Sequence, residues 1–498
     1  MLRTLLTIAT TIVVWEFVRR AAWKALRGRW EHSIGEWMRR HDVRLEHFRF
    51  VDRLWVRQSL LQDAELDKAA AERAAETGTT IGEVRARMEV WLDEIVPVFN
   101  VFSYYKLGGN VATGAVRLCY ELIFDHDGLA AARKAIPPGS VTVYVANHRS
   151  NADYVVLSVG AMKQVALSYA VGEWARVWPL DSLFRSFGSY FVRRGEKDPL
   201  YHRVLSRYLQ LVASRGLTTA FFLEGALSRD GAFRAPKIGL LDYLVGILRD
   251  DPDRVITFVP VGLNFDRVLE DRNLTSETAG APPPRALEKL RSLGRIASSV
   301  PRFLLGVFGP GWLAAHRRYG YAAVSFGRAV SLSELVEDPA AMARLPRAER
   351  LDAIAGLADA LLARVATVVP ATPVVLTCRA LDAGNTHAAA IRAAVRDELR
   401  ELRAVGRPVA QGAAFESIRR ARADENNTAV EMDREIVDAD EADRTVDLAM
   451  ALLERRGLVR CVGDVATVDP RAWVLIRYYA RSLAAPEKLA KKVAGTAR

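Results

Sequence analysis

VTVYVANHRSNADYVVLS, residues 141–158, begins as a β-branched apolar run and ends as the start of a helix. SVTVYVAN (140–147) has the composition of a buried strand. RSNADYVVLSVGAM then reads as a helix, with Ser150 or Asn151 able to cap it. His148 falls in the connection between the two and Asp153 near the start of the helix. Residues five apart do not share a helix face, because five steps carry the chain well past a full turn. They meet only if His148 stays on the loop before the helix. In that geometry Asp153 holds one imidazole nitrogen, fixes the tautomer and raises the basicity of the other, which can then take a proton from an alcohol. Read by spacing alone, the pair is equally a loop histidine next to a helix-capping acid.

The strand does not stand alone. SYAVG (168–172), GSYFVRR (188–194), LTTAFFLEG (217–225) and RVITFVPVGLNF (254–265) are further short apolar runs, and YAAVSFGRAVSL (321–332) supplies a last one. Helical stretches such as DPLYHRVLSRYLQLVASRG separate them. Alternating strands and helices predict an α/β domain over 136–335, with a mixed, largely parallel sheet flanked by helices. Ligands of such sheets gather where strands end and loops begin. Residues 31–135 carry a three-to-four-residue apolar repeat and read as a helical N-terminal domain. In TGTTIGEVRARMEVWLDEIV, Thr79 or Thr80 caps a new helix with Glu83 in its first turn. GAPPPRALE (280–288) and VEDPAAMARLPRAER (336–350) read as linkers. Residues 345–498 read as a mainly helical C-terminal domain, closed by a helix–strand–turn–strand–helix signal ending in LIRYYARSL.

Composition narrows the partners. The 498-residue chain is half apolar and carries a net charge of +11, which favours a polyanion: nucleic acid, an anionic lipid surface or a phosphorylated substrate. Cys119, Cys378 and Cys461 are scattered without ligand spacing, which points to a reducing compartment and no zinc ribbon. Within residues 1–30, TLLTIATTIVVWEFV (4–18) is apolar apart from Glu16, and Arg3, Arg19, Arg20, Lys24, Arg27 and Arg29 flank it. The run is short for a transmembrane span, and no small-residue cleavage site follows. It suits a membrane-associating helix at the cytosolic face of the cytoplasmic membrane, peripheral or monotopic, with anionic headgroups attracting the arginines. VPRFLLGVFGPGWLAAHRR (300–318) is a second apolar stretch with basic ends, suited to a monotopic insertion or a lid.

Three more clusters could carry chemistry. Arg193 and Arg194 end an apolar strand; guanidinium groups bind phosphate bidentately, and strand alternation lets only one of the two face a site. FFLEGALSRDGAFRAPKIGLLDY (221–243) runs from a strand into a glycine-rich loop bearing Glu224, Gly225, Ser228, Arg229, Arg234 and Lys237. A carboxylate at a strand end could hold a polyol hydroxyl or orient a base, and the basic residues after it could neutralise phosphate. Val259 and Pro260 supply no chemical group and could wall an acyl-sized channel.

Taken in order, NHRSNAD, GSYFVRR, FFLEGALSR and VPVGLNFD resemble the four signature blocks of the glycerolipid acyltransferase superfamily, the first being its NHxxxxD motif. HRSNADYVVLS, RRGEKDPLY, SRDGAFRAPKIGLLDY and the late LIRYYARSL are similar to the bacterial membrane-bound glycerol-3-phosphate acyltransferases. The resemblance is specific over 140–270 and looser beyond. It implies acyl transfer from an acyl thioester to the sn-1 hydroxyl of glycerol 3-phosphate, with His148 as general base and Asp153 as its orienter. Arg193 and/or Arg194 would bind the phosphate. Glu224 and Gly225 would position the glycerol, with Ser228, Arg229 and Lys237 around its phosphate, and Val259 and Pro260 would line the acyl pocket. No metal and no bound cofactor are implied; the donor is open between acyl-CoA and acyl-carrier protein. Leu227 stands where the third block usually has Arg, which loosens the acceptor preference toward dihydroxyacetone phosphate or lysophosphatidate. A nucleic-acid binder is the outlying alternative, from the basic charge and the helix–hairpin outline of the last 60 residues; the acidic run at 424–443 weighs against it.

Overall fold

The computed structural model describes residues 53–97, 109–162, 164–172, 184, 188–193, 195–278, 319–410 and 430–484. All of these except Gln164 and Val165 fall in one compact unit. The basic N-terminal segment, the stretches 280–288 and 300–318, and Arg194 lie outside the described residues.

Helix starts follow local caps. Helices α1 (Arg53–Leu61), α2 (Ala64–Thr77) and α3 (Ile81–Ile95) open the described chain. Asp63 caps α2 through the Leu66 amide, and Thr80 with Glu83 forms a full capping box at α3. Val84, Met88, Trp91, Leu92 and Ile95 make the buried stripe of α3, which packs with α1 and α2 against a later helix. After α4 (Gly109–Cys119) comes β1 (Glu121–Phe124), then α5 (His126–Lys134). β1 lies inside 31–135, so the region read as helical contributes a sheet strand. Asp125 caps α5 immediately after it, leaving four residues for a strand, too few to show a period of two.

The sheet is then built from β2 (Val141–Ala146), β3 (Ser168–Gly172), β4 (Tyr190–Val192), β5 (Thr219–Phe222), β6 (Ile256–Phe265), β7 (Tyr321–Phe326) and β8 (Val330–Ser331). Between them lie α6 (Asp153–Ala161), α7 (Pro199–Ser214), α8 (Gly239–Val245), α9 (Ile247–Asp250) and α10 (Asp271–Thr278). The eight strands run β1–β7–β6–β2–β5–β3–β4, with β8 also against β6. β6, β2, β5, β3 and β4 are mutually parallel, as are β1 and β7, while β7 and β8 pair antiparallel to β6. The mixed, largely parallel sheet expected from the sequence is therefore present.

Every residue of β6 is buried, although it contains Pro260. A proline cannot donate to a ladder and is normally excluded from interior strands. Here β8 pairs with Thr257 and Phe258, whereas β7 pairs from Val261 onward. Pro260 thus sits where the outer partner changes, and its carbonyl still accepts from the Gly327 amide at 2.8 Å.

One core cluster joins Val141, Val143 and Val145 of β2 to Ile256 and Phe258 of β6 and to two following helices, α11 (Pro339–Arg344) and α12 (Arg347–Val368). The stretch 336–350 is therefore not a linker. Asp338 caps α11, Met342 and Ala343 enter the core, and Ile354 through Val365 of α12 back the sheet. The remaining described helices are α13 (Pro373–Asp382), α14 (Ala388–Ala404), α15 (Val430–Arg455) and α16 (Trp473–Ala480), the last followed by a 3₁₀ turn at Arg481–Leu483. The antiparallel hairpin β9 (Val459–Val462) and β10 (Val465–Val468) separates α15 from α16, as the closing pattern predicts. Asp266, just past β6, ties this region to the sheet: its carboxylate accepts the amides of Tyr321 at 2.7 Å and Val374 at 2.9 Å. The end of the acidic run is neutralised within the fold, Glu441 by Arg403 and Asp443 by Arg392.

Candidate active site

β2 is central, flanked by β6 and β5, and its parallel neighbours end at the same edge of the sheet. Asn147 and His148 leave that edge. Asn147 is stapled to the main chain of β6, donating to the Leu263 carbonyl and accepting the Leu263 amide, both at 2.8 Å. His148 therefore starts its loop from a held position.

The imidazole is 2% exposed and its Nδ1 lies 2.8 Å from Asp153 Oδ2. The same oxygen accepts the amides of Arg149 at 2.7 Å and Ser150 at 3.1 Å. Asp153 is the first residue of α6, and the residue before it, Ala152, makes no side-chain cap. Neither Ser150 nor Asn151 caps the helix, contrary to the sequence reading. The acid folds the loop back over its own carboxylate, which is why a five-residue spacing closes. The Ser150 hydroxyl instead donates to Glu270 at 2.8 Å, and the Asn151 amide reaches the same carboxylate at 3.3 Å. Burial raises the pKa of Glu270. The imidazole stacks on Phe222 at 4.1 Å between centroids and meets Tyr154 edge-on at 5.7 Å. With Nδ1–H given to the carboxylate, the lone pair is on Nε2, the form of imidazole that accepts a proton from a hydroxyl.

The remaining candidates fall into two groups. Glu224 is wholly buried one strand away, and both its oxygens are occupied: Oε1 accepts the His148 amide at 3.0 Å and Oε2 the Arg234 amide at 2.7 Å. It holds the backbone of His148 and of Arg234. Burial pushes its pKa up, opposed mainly by the charge of Arg149. Ser228 is also internal, its hydroxyl on the Ala232 carbonyl at 2.6 Å and its amide on the His148 carbonyl at 3.3 Å. Gly225 turns the chain with φ 64°, and a Cβ there would meet the Lys237 stem at 2.6 Å, so glycine is required. Val259 and Pro260 are enclosed within β6, paired beside Tyr144 and Val145.

The cations differ from one another. Arg193 is half-buried and committed to Glu94, with Nε at 2.9 Å and Nη2 at 2.8 Å, and to Glu196 at 3.3 Å. The strand-end doublet suggests a phosphate ligand; the structure places an acid from α3, some hundred residues earlier, across the Arg193 fork. Arg229 and Lys237 are exposed on the loop after Gly225. Arg234 donates to the Leu227 carbonyl at 3.3 Å, which puts a guanidinium beside the leucine that replaces the customary arginine. Among the described residues, no three His, Cys, Asp or Glu side chains gather as metal ligands would.

A protein-family model described as Acyltransferase matches residues 131–264, a span that contains β2, the His148 loop, β5, the Glu224 turn and most of β6. Residues 131–264 are an acyltransferase domain. The chain is similar to a glycerol-3-phosphate acyltransferase of Aeromonas hydrophila subsp. hydrophila, 29% identical over 351 residues, which are 69% of this chain and 40% of that protein. A glycerol-3-phosphate acyltransferase of Histophilus somni is 31% identical over 260 residues, 50% of this chain and 32% of that protein. The matched region thus spans well under half the length of these curated relatives. Among solved structures, the chain is similar to the 1-acyl-sn-glycerophosphate (LPA) acyltransferase, PlsC, from Thermotoga maritima, with 15% identity, 52% of this chain and 80% of that one covered, and a TM-score of 0.27.

Sequence reasoning missed the residues that brace the loop through distant partners: Asn147 and Arg149 inside it and Glu270 beyond β6, whose partners lie more than 80 positions away. The first block did contain Asn147 and Arg149, but nothing local marks a side chain as facing inward.

Proposed function

We propose that this protein transfers a fatty acyl group from an acyl thioester to the sn-1 hydroxyl of glycerol 3-phosphate, giving 1-acyl-glycerol 3-phosphate, the entry to phospholipid synthesis. The observation that carries the reading is the buried His148–Asp153 bond at the end of β2, inside the acyltransferase match. Nε2 of His148 takes the proton of the acceptor hydroxyl as the oxygen attacks the thioester carbonyl. The tetrahedral oxyanion needs hydrogen-bond donors beside Nε2. The adduct collapses, the C–S bond breaks, and the imidazolium returns its proton to the departing thiolate. Asp153 stabilises the imidazolium between these steps. The chemistry uses no bound cofactor, and the donor is acyl-CoA or acyl-carrier protein.

Arg229 and Lys237, with Arg193 or Arg194, are proposed to receive the acceptor phosphate, Arg193 sharing its fork with Glu94. The long-chain donor and the acyl product favour a peripheral or monotopic enzyme at the cytosolic face of the cytoplasmic membrane, with residues 1–30 drawn to anionic lipid. Among the described residues no helix is long and apolar enough to cross a membrane. The test is a matrix assay of the purified protein, with glycerol 3-phosphate, dihydroxyacetone phosphate and lysophosphatidate as acceptors and acyl-CoA and acyl-carrier protein as donors. Turnover is expected to be highest with glycerol 3-phosphate. Preference for either other acceptor would replace the proposed substrate, and transfer to none of them would overturn the reading.

A further inference from the structure

Arg149 follows the histidine directly, yet it is 1% exposed. Its Nη1 donates to the Gly231 carbonyl, and its Nη2 donates to the Ser482 carbonyl at 2.7 Å, across 333 residues of sequence. The guanidinium carbon lies 5.2 Å from the Phe233 ring centroid. A guanidinium enclosed in this way, with both terminal nitrogens on main-chain carbonyls, is not presented to a phosphate. It joins three pieces of chain: the His148 loop, the loop after β5, and the C-terminal 3₁₀ turn.

Other contacts close the same seam. Gly231 sits so tightly on α16 that a Cβ there would lie 1.7 Å from the Tyr478 carbonyl oxygen. Arg481 pairs with Asp230 at 3.2 Å, and Asn264 at the end of β6 donates to the Ser482 hydroxyl at 3.2 Å. Tyr479 of α16 hydrogen-bonds Asp271 at the start of α10, one residue beyond the Glu270 that holds Ser150. The C-terminal segment thus touches the chain that follows β2, β5 and β6.

We infer that Arg149 is a positioning residue that locks the segment Trp473–Leu483 onto the His148 loop, so that the acyltransferase site is complete only with that segment docked. The inference rests on the acyl-transfer reading for its kinetic arm only. Because the fork ends on carbonyls, the lock depends on arginine's two-pronged geometry and not on charge alone. Displacing the loop by about 1 Å would cost on the order of 100-fold in turnover while leaving acceptor binding nearly intact.

The experiment compares the full-length protein with Arg149→Met, Arg149→Lys and Gly231→Ala. Acyl transfer to glycerol 3-phosphate from a long-chain acyl-CoA and amide hydrogen exchange without substrate are both measured. Arg149→Met is expected to lower kcat about 100-fold with KM for glycerol 3-phosphate within about twofold, and Arg149→Lys to fall between it and wild type. Exchange should rise together in 147–153 and 474–484, with β2 unchanged. Gly231→Ala should reproduce the pattern without altering any charged group, and it carries the test with Arg149→Lys if Arg149→Met does not fold. A raised KM at constant kcat would make Arg149 a phosphate ligand and overturn the proposal. So would exchange rising in one segment alone. If wild type shows no transfer to glycerol 3-phosphate, the functional reading falls, and the exchange arm still decides the lock.

Discussion

Asp153 and Glu224 are both wholly buried carboxylates near the ends of neighbouring parallel strands, and both are held by two main-chain amides. They nevertheless do different work. Asp153 spends one oxygen on an imidazole as well as on amides, so it acts on the protonation of His148. Glu224 touches only backbone, so it acts on where His148 is. Asp266, beyond the end of the adjacent β6, is the limiting case: it binds the amides of Tyr321 and Val374 and reaches no part of the histidine. The chemistry of a buried acid in this fold is decided by its third partner, since the amides that make burial tolerable are common to all three.

The comparison breaks first at the histidine. His148→Ala is expected to reduce acyl transfer about 10²- to 10⁴-fold with the fold retained, and Asp153→Asn to come close to it because the amide cannot hold the same tautomer. Steady-state rates beside a circular dichroism spectrum check this, and an Asp153→Asn enzyme near wild-type turnover would erase the distinction drawn for Asp153.

Glu224→Gln should be milder, about 10-fold in kcat with the lower limb of the pH–rate profile unmoved, since one oxygen still accepts an amide and the imidazole pair is untouched. A profile shifted as strongly as in Asp153→Asn would put Glu224 in the proton chemistry. A large rise in the KM for glycerol 3-phosphate would return it to the acceptor.

Asp266 sharpens the comparison from the side of stability. Burial raises its carboxyl from 3.8 to about 6. The folded protein therefore keeps this proton to higher pH than the unfolded chain does. Its contribution is fully present below 3.8 and is lost as pH rises to about 6, a change of about 3 kcal/mol. Asp266→Asn cannot titrate, and it leaves one amide without its acceptor, at a cost of about 1–3 kcal/mol. In denaturant unfolding, the advantage of wild type over the variant should shrink between pH 4 and 6; an advantage that grows would reverse the sign assigned here.

Much of the site was legible. His148 and Asp153 are close in sequence, and a strand followed by a helix leaves one way for them to meet. Thr80 with Glu83, and the closing helix–hairpin–helix, were legible for the same reason: their partners are a few residues away. Glu224 is legible as a strand-end carboxylate, but its bond to the His148 amide is not, because a carboxylate before a glycine looks the same whatever it faces. Arg193 was read as available because Glu94 lies on α3, far away in the chain. Residues 336–350 looked like a linker by composition, yet Met342 and Ala343 are core.

What the sequence determined by itself was the alternation of strand and helix, the histidine–acid pair and the order of the four blocks, all set by local periodicity and short spacings. The tertiary structure alone decided which polar groups face inward. Burial of a charge is governed by partners from several elements at once, and for Glu224, Arg193 and Arg149 those partners come from other strands, from α3 and from the far C-terminal turn. No window of sequence contains them, because the sheet brings them together only after the chain has closed on itself.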